Sequence, residues 1–152
     1  HVRSRRQRQM CIRDRPNGCL NYMNKIQPNS LEAVILFTLY ICAQDSVIAD
    51  EELEQLSLEL PILQKLYFDI YGEYIEEDFK KMIKNTKNII FKEPEYTRQT
   101  ISKLEMDTFN KLLTDPKIQD ISLLASMHAA SADGFHKNEK VKYKYWLSEW
   151  VL

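Results

Sequence analysis

Residues 31–44 have the sequence LEAVILFTLYICAQ, and this stretch decides the fold class. Its apolar side chains occupy every face of a helix rather than one stripe, which is typical of a helix buried on all sides. Ser30 precedes the run and can cap its first turn. The run is too short to span a bilayer, which takes about 20 apolar residues. We therefore expect a central buried helix, Leu31–Gln44, in a helical protein.

Helical periodicity continues outward from this stretch, and no strand-like alternation of useful length is present. Acidic residues favoured by the helix dipole mark two further helix starts, at Asp50 and at Glu76. Pro61 ends or kinks the second helix and suits the first position of another. The predicted later helices cover residues 50–60, 61–71, 76–93, 96–114, 117–132 and 138–152. The sequence thus predicts an all-α domain of six to seven helices.

The helix that follows residue 76 has two chemically distinct faces. Its exposed face is predicted to carry the lysines at positions 80, 81, 84 and 87. Its buried face is predicted to consist of Phe79, Met82, Ile83, Ile89, Ile90 and Phe91. Such a pattern is typical of a surface helix packed on a core.

Charge is distributed unevenly along the chain. The whole sequence has 21 Lys and Arg against 22 Asp and Glu, but residues 1–15 hold six Arg and a single acid. Residues 9–14, QMCIRD, correspond to the translation of a transposase-type sequencing adaptor. We interpret residues 1–15 as a disordered assembly artefact rather than a basic arm. Residues 16–30 are then an N-terminal remnant, and residues 31–152 form the single domain.

Residues 16–152 contain 15 basic and 21 acidic side chains, a net charge of −6. An acidic body disfavours nucleic acid as a partner. Three Cys without paired spacing exclude a disulfide scaffold and a Cys-based zinc module. No signal peptide or membrane span is visible in the sequence. We therefore expect a cytoplasmic protein with a protein partner, and we leave its oligomeric state open.

A helical hairpin recurs at an offset of 88 residues. When residues 35–59 are aligned with residues 123–147, Asp45 falls on Asp133 and Glu51 falls on Glu139. Each copy has a buried helix, a short turn after the Asp, and a Glu in the first turn of the next helix. A repeat of this kind predicts one supersecondary unit used twice. We expect two pseudo-symmetric hairpins packed around two central buried helices, residues 31–44 and 117–132.

This hairpin, with its Ala-Asp-Gly and the Glu six residues after the Asp, resembles the TerB family of tellurite-resistance-associated helical domains. The resemblance covers about residues 31–152 and implies a non-enzymatic domain that acts in stress or tellurite resistance. The same fold occurs at the N-terminus of DjlA-type co-chaperones, which implies a metal-free protein-interaction module as the alternative. The loops depart from the family pattern at Ser46, where Gly is usual, and at His136, where an apolar residue is usual.

The resemblance also implies a divalent-cation site built from acidic residues of both hairpins. The matching positions are Asp45, Glu51, Asp133 and Glu139. Carboxylate oxygens suit hard cations, and the identity of the cation stays open. A structural explanation also stays open, because Asp at a helix–turn junction can bond the turn and Glu in a first turn is favoured by the dipole.

Other metal sites fit the sequence less well. An EF-hand is excluded because the third and twelfth positions counted from either Asp carry no carboxylate. His128, Asp133, His136 and Glu139 form a candidate zinc cluster, but His128 aligns with Tyr40 in the repeat. We therefore expect His128 to fill a surface position on its helix.

No catalytic residue and no organic cofactor are predicted. The sequence contains no GxSxG motif, no supported Cys–His constellation and no Gly-rich phosphate loop. An aromatic group at helical spacing is interpreted as core or as a partner groove rather than a platform for nucleobases. Its members are Tyr67, Phe68, Tyr71 and Tyr74.

Overall fold

The computed structural model describes residues 26–45, 47–72, 79–98 and 100–151, with the backbone alone for Asp45. This part of the chain is helical and contains no strand, which confirms the all-α class. The six α-helices are α1 (Leu31–Cys42), α2 (Asp50–Tyr71), α3 (Phe79–Lys92), α4 (Lys103–Leu112), α5 (Pro116–Ser131) and α6 (Lys137–Val151). Short 3-10 helices cover Ala43–Asp45 and Pro94–Thr97. The predicted artefact, residues 1–15, lies outside the described residues.

Helix α1 is the centre of the core, as predicted. Every residue of α1 except Glu32 is buried. The Ser30 hydroxyl accepts a hydrogen bond from the amide of Ala33 at 3.2 Å and so caps the helix. Helix α1 packs most extensively against α5, whose small residues Ala125 and Ala129 are buried and allow close approach. The pseudo-twofold relation between the hairpins stays a prediction.

The core also contains a polar network that the sequence pattern did not predict. Lys142 of α6 forms an ion pair with Glu105 of α4, and both side chains are at most 1% exposed. The Lys142 ammonium lies 5.3 Å from the ring centroid of Tyr40, whose hydroxyl accepts a hydrogen bond from the Trp146 indole at 3.2 Å. Burial lowers the pKa of Lys142, and the bond to Glu105 opposes that shift.

Helix α2 runs without interruption through Pro61, so the predicted break at this residue is wrong. The apolar spacing explains the continuity, because Leu56, Leu60 and Leu63 are all buried on one face. Core packing of this face outweighs the loss of a backbone hydrogen bond at an exposed proline. Gly72 ends the helix in the left-handed conformation, with φ of 71°.

The helix predicted over residues 96–114 begins later than predicted. Residues Pro94–Thr97 form a 3-10 helix, and α4 begins only after Ser102. The amide of Ser102 donates to the Glu105 carboxylate at 2.6 Å, and the amide of Glu105 donates to the Ser102 hydroxyl at 3.2 Å. This reciprocal capping box fixes the start of α4.

Helix α3 buries Met82, Thr86, Ile89 and Ile90 and exposes most of its lysines, largely as predicted. Phe91 is 42% exposed, so its predicted burial is wrong. The buried face follows the spacing i, i+4, i+7 and i+8 from Met82, and Phe91 falls one position beyond it. The predicted start of this helix at Glu76 lies outside the described residues.

Hydrogen bonds connect the start of α5 to two earlier segments, the end of α2 and the residues before α1. Asp115 caps α5 by accepting from the amide of Lys117 at 2.9 Å, and it also accepts from the Tyr71 hydroxyl at 2.6 Å. The side chain of Asn29 accepts from the amides of Thr114 and Asp115, each at 2.9 Å. These bonds hold α5 against the end of α2 and against the segment before α1.

Candidate metal site

The first hairpin places Glu52 at the start of α2. After the 3-10 helix Ala43–Asp45, the chain enters α2 through Ala49. The Glu52 carboxylate turns back and accepts a hydrogen bond from the amide of Ala49 at 2.9 Å. This contact is the returning half of a capping box, since Ala49 has no side-chain acceptor for the other half.

The second hairpin places Glu139 in the same way at the start of α6. The turn between α5 and α6 contains Gly134 with φ of 93° and Phe135 with φ of 50°. The Glu139 carboxylate then accepts a hydrogen bond from the amide of His136 at 2.7 Å. Both hairpins therefore direct a glutamate at the third helical position back toward the turn.

The carboxyl groups of Glu52 and Glu139 meet inside the protein. Their side chains belong to residues that are 1% and 0% exposed, and the two groups are within hydrogen-bonding reach of each other. The second oxygen of Glu52 is buried and meets no hydrogen-bond donor. Two carboxylates so placed repel each other unless a proton or a cation lies between them.

Burial, the Glu139 carboxyl group and the charge of Asp133 raise the pKa of Glu52 to about 8. The bond from the Ala49 amide acts in the opposite direction but does not compensate. All the charged groups that act on Glu52 are carboxylates. The arrangement therefore favours a neutral Glu52 when no cation is bound.

The structure brings together two of the four predicted site residues and leaves out one. Glu139 lies in the carboxyl pair, and Asp133, whose side chain is 33% exposed, is close enough for its charge to act on Glu52. Glu51 is exposed on α2 and is not part of the pair. The side chain of Asp45 lies outside the described residues.

Glu52 takes the place predicted for Glu51 because the two turns differ in length. Glu52 follows Asp45 by seven residues, whereas Glu139 follows Asp133 by six. The alignment at a constant offset of 88 therefore selected the neighbouring glutamate. The capping box could have identified Glu52 from the sequence, because a helix that begins at Asp50 places Glu52, not Glu51, at its third position.

The candidate zinc cluster is not assembled. His128 lies on α5, where its Nδ1 is 3.1 Å from the Glu59 carboxylate of α2. His136 instead pairs with Asp133, with 3.2 Å between Nε2 and Oδ2. In the part of the chain that the structure describes, no group of three or more His, Cys, Asp or Glu side chains is arranged to hold a metal. Any cation at the glutamate pair would thus need water molecules to complete its coordination.

The chain matches no protein-family model, no curated protein and no solved structure. The resemblance to the TerB family therefore rests on the repeated hairpin and its residues. Of the helices that the structure describes, none combines the length and the apolarity that a membrane span requires.

Proposed function

We propose that this chain is a non-enzymatic, TerB-like domain that binds a divalent cation between its two helical hairpins. Glu52 and Glu139 would hold the cation, and the charge of the half-buried Asp133 would act on the same site. The observation that carries the proposal is the buried carboxyl group of Glu52, which is within hydrogen-bonding reach of Glu139 and whose second oxygen meets no hydrogen-bond donor. A cation would neutralise both carboxylates at a place where no basic side chain acts on Glu52.

The chemistry of the donor set favours a hard cation. Carboxylate oxygens suit Mg²⁺, Ca²⁺ or Mn²⁺, and Mg²⁺ commonly binds through one or two carboxylates while keeping several waters. Zinc is disfavoured because the imidazoles of His128 and His136 pair with Glu59 and Asp133 rather than with Glu52 or Glu139. The two glutamates belong to different hairpins, so their shared cation would join the start of α2 to the start of α6.

Calorimetric titration with Mg²⁺, Ca²⁺, Mn²⁺ and Zn²⁺ tests the proposal. We expect the wild type to bind at least one hard cation, and Glu52→Gln to weaken binding by at least about tenfold, or about 1.4 kcal/mol. Glu51→Gln is the matched control, since it removes the same charge from the adjacent exposed position and should leave binding unchanged. No binding by the wild type, or equal binding by both variants, would contradict the proposal.

The family resemblance supports a role in stress or tellurite resistance, which the neighbouring genes would test. The alternative is a metal-free interaction module of the kind found in DjlA-type co-chaperones. Exposed apolar residues on the outer side of α2 favour it, since Leu58 and Ile62 are 66% and 61% exposed. A longer contig that encodes a J domain after Leu152, together with an absence of cation binding, would support this alternative.

A further inference from the structure

A groove lies between α2 and α3, and neither Glu52 nor Glu139 lines it. Its volume is about 320 Å³. One wall is formed by Leu53 and Ser57 of α2, and the other wall belongs to α3. The residues of α3 that line it are Lys80, Ile83, Lys84, Lys87 and Asn88. The groove thus combines an apolar floor with a row of three ammonium groups.

The groove is lined by basic side chains, although the protein as a whole is acidic. Residues 16–152 carry a net charge of −6, whereas α3 contains five lysines and no acid. The adjoining α2 contains six acids, but its contribution to the groove is the apolar Leu53 and the neutral Ser57. The residues that line the groove therefore include three lysines and no acid.

The three groove lysines form no salt bridge with any carboxylate that the structure describes. Lys80 and Lys84 are four residues apart, and Lys84 and Lys87 are three apart, so they are neighbours on one helix face and repel each other. An acidic partner would relieve this repulsion. A row of like charges on one helix face does not stabilise the folded protein.

The spacing of the three lysines along α3 favours a helical partner. Lys80 and Lys87 are seven residues apart, which corresponds to about 10 Å along the helix axis. Two turns of another helix have the same length and can present carboxylates at matching i, i+4 and i+7 positions. The floor of Leu53 and Ile83 would accept one apolar side chain of that helix.

Other anionic ligands fit this surface less well. A basic amphipathic helix binds a membrane by burying its apolar face in the lipid, but the apolar face of α3 is already buried against the core through Met82, Ile89 and Ile90. A single phosphate group cannot reach ammonium groups spread over two turns. Nucleic acid is opposed by the acidic charge of the rest of the protein.

We propose that the groove between α2 and α3 binds an acidic amphipathic helix of a partner protein. Carboxylates of the partner pair with Lys80, Lys84 and Lys87, and one apolar side chain enters between Leu53 and Ile83. The groove uses different side chains from the proposed cation site, because neither Glu52 nor Glu139 lines it.

Fluorescence anisotropy with a designed peptide tests this interaction. The probe is a labelled alanine-based helical peptide of about 20 residues that carries three Glu at i, i+4 and i+7 beside a Leu anchor. A peptide with Gln in place of Glu is its control. We expect the wild type to bind the Glu peptide, to bind it less tightly as salt rises, and to bind the Gln peptide at least about tenfold more weakly.

Two kinds of variant locate the binding site. Simultaneous reversal of Lys80, Lys84 and Lys87 to Glu should weaken binding of the Glu peptide by at least about tenfold. The matched control reverses three exposed lysines elsewhere, Lys103→Glu, Lys111→Glu and Lys117→Glu, and should bind like the wild type. Ser57→Trp fills the groove without changing charge and should also abolish binding, while circular dichroism verifies that each variant remains helical.

Three results would overturn the proposal. The first is no binding of the Glu peptide even at low salt. The second is an equal loss of binding in the control triple variant, which would indicate attraction by net charge alone. The third is lysine-dependent binding to phosphatidylserine-containing vesicles without binding to the peptide, which would assign the groove to an anionic membrane surface.

Discussion

Glu52 lies in an environment very different from that of a surface glutamate. It is 1% exposed, and a second carboxyl group lies within hydrogen-bonding reach. Its pKa is raised from 4.5 to about 8, so the folded protein keeps a proton that the unfolded chain releases. The adjacent Glu51 is exposed, so a one-residue shift along α2 separates a solvated carboxylate from a desolvated one.

The raised pKa of Glu52 predicts that stability decreases as the pH rises. Below about pH 4.5 the group is protonated in both states, and its contribution is fully present. Between about pH 4.5 and about pH 8 the unfolded state binds fewer protons than the folded state, so the free energy of unfolding falls by up to about 1.4 kcal/mol per pH unit. Urea unfolding at pH 5 and pH 8 with a chelator present measures this loss.

Glu52→Gln should remove this pH dependence, because the amide is neutral at both pH values and keeps an oxygen for the Ala49 amide. Between pH 5 and pH 8 we expect the variant to gain up to about 3.5 kcal/mol in free energy of unfolding relative to the wild type. Glu51→Gln should keep the pH dependence of the wild type. An unchanged slope in Glu52→Gln would show that other groups cause it.

At the scale of single elements, α2 shows how packing overrides a local signal. Pro61 predicts a break, yet the helix extends over 22 residues from Asp50 to Tyr71. The buried side chains Leu56, Leu60 and Leu63 continue one apolar stripe across the proline. Pro61 itself is exposed, so its ring avoids the core, and the missing backbone hydrogen bond remains as a local cost.

This cost predicts that Pro61→Ala stabilises the protein. Alanine restores the backbone donor and is the best helix former, so the free energy of unfolding should rise by about 2 kcal/mol. Pro116→Ala is the control, because Pro116 is the first residue of α5, where proline is favoured and no backbone bond is lost. Urea unfolding of both variants measures these changes in the free energy of unfolding. A Pro61→Ala variant less stable than the wild type would contradict the prediction.

At the scale of the whole molecule, the sequence predicted best what depends on local patterns. The all-round apolarity of residues 31–42 indicated the central helix, and Met82, Ile89 and Ile90 indicated the buried face of α3. The repeated hairpin also led to the prediction of Glu139 and Asp133 as site residues. The exchange of Glu51 for Glu52 followed from one additional residue in the first turn.

Contacts between distant residues could not be predicted in this way. Glu105 and Lys142 are 37 residues apart, and each taken alone resembles a solvated charge on an amphipathic helix. Their burial depends on how α4 and α6 pack around Tyr40, which no local pattern specifies. The same applies to the groove between α2 and α3, because its lysines were predicted to be exposed but the wall opposite them comes from another helix.

The buried pair of Glu105 and Lys142 leads to a prediction for the whole core. Lys142→Met should cost about 3–5 kcal/mol, because it leaves the Glu105 carboxylate buried without its counter-charge. Lys144→Met is the control, since this exposed lysine on the same helix should contribute less than about 0.5 kcal/mol. Adding Glu105→Gln to Lys142→Met removes the uncompensated charge while keeping an oxygen for the Ser102 amide. The double variant should therefore be more stable than Lys142→Met alone in urea unfolding, whereas strictly additive losses would show that the two side chains are not energetically coupled.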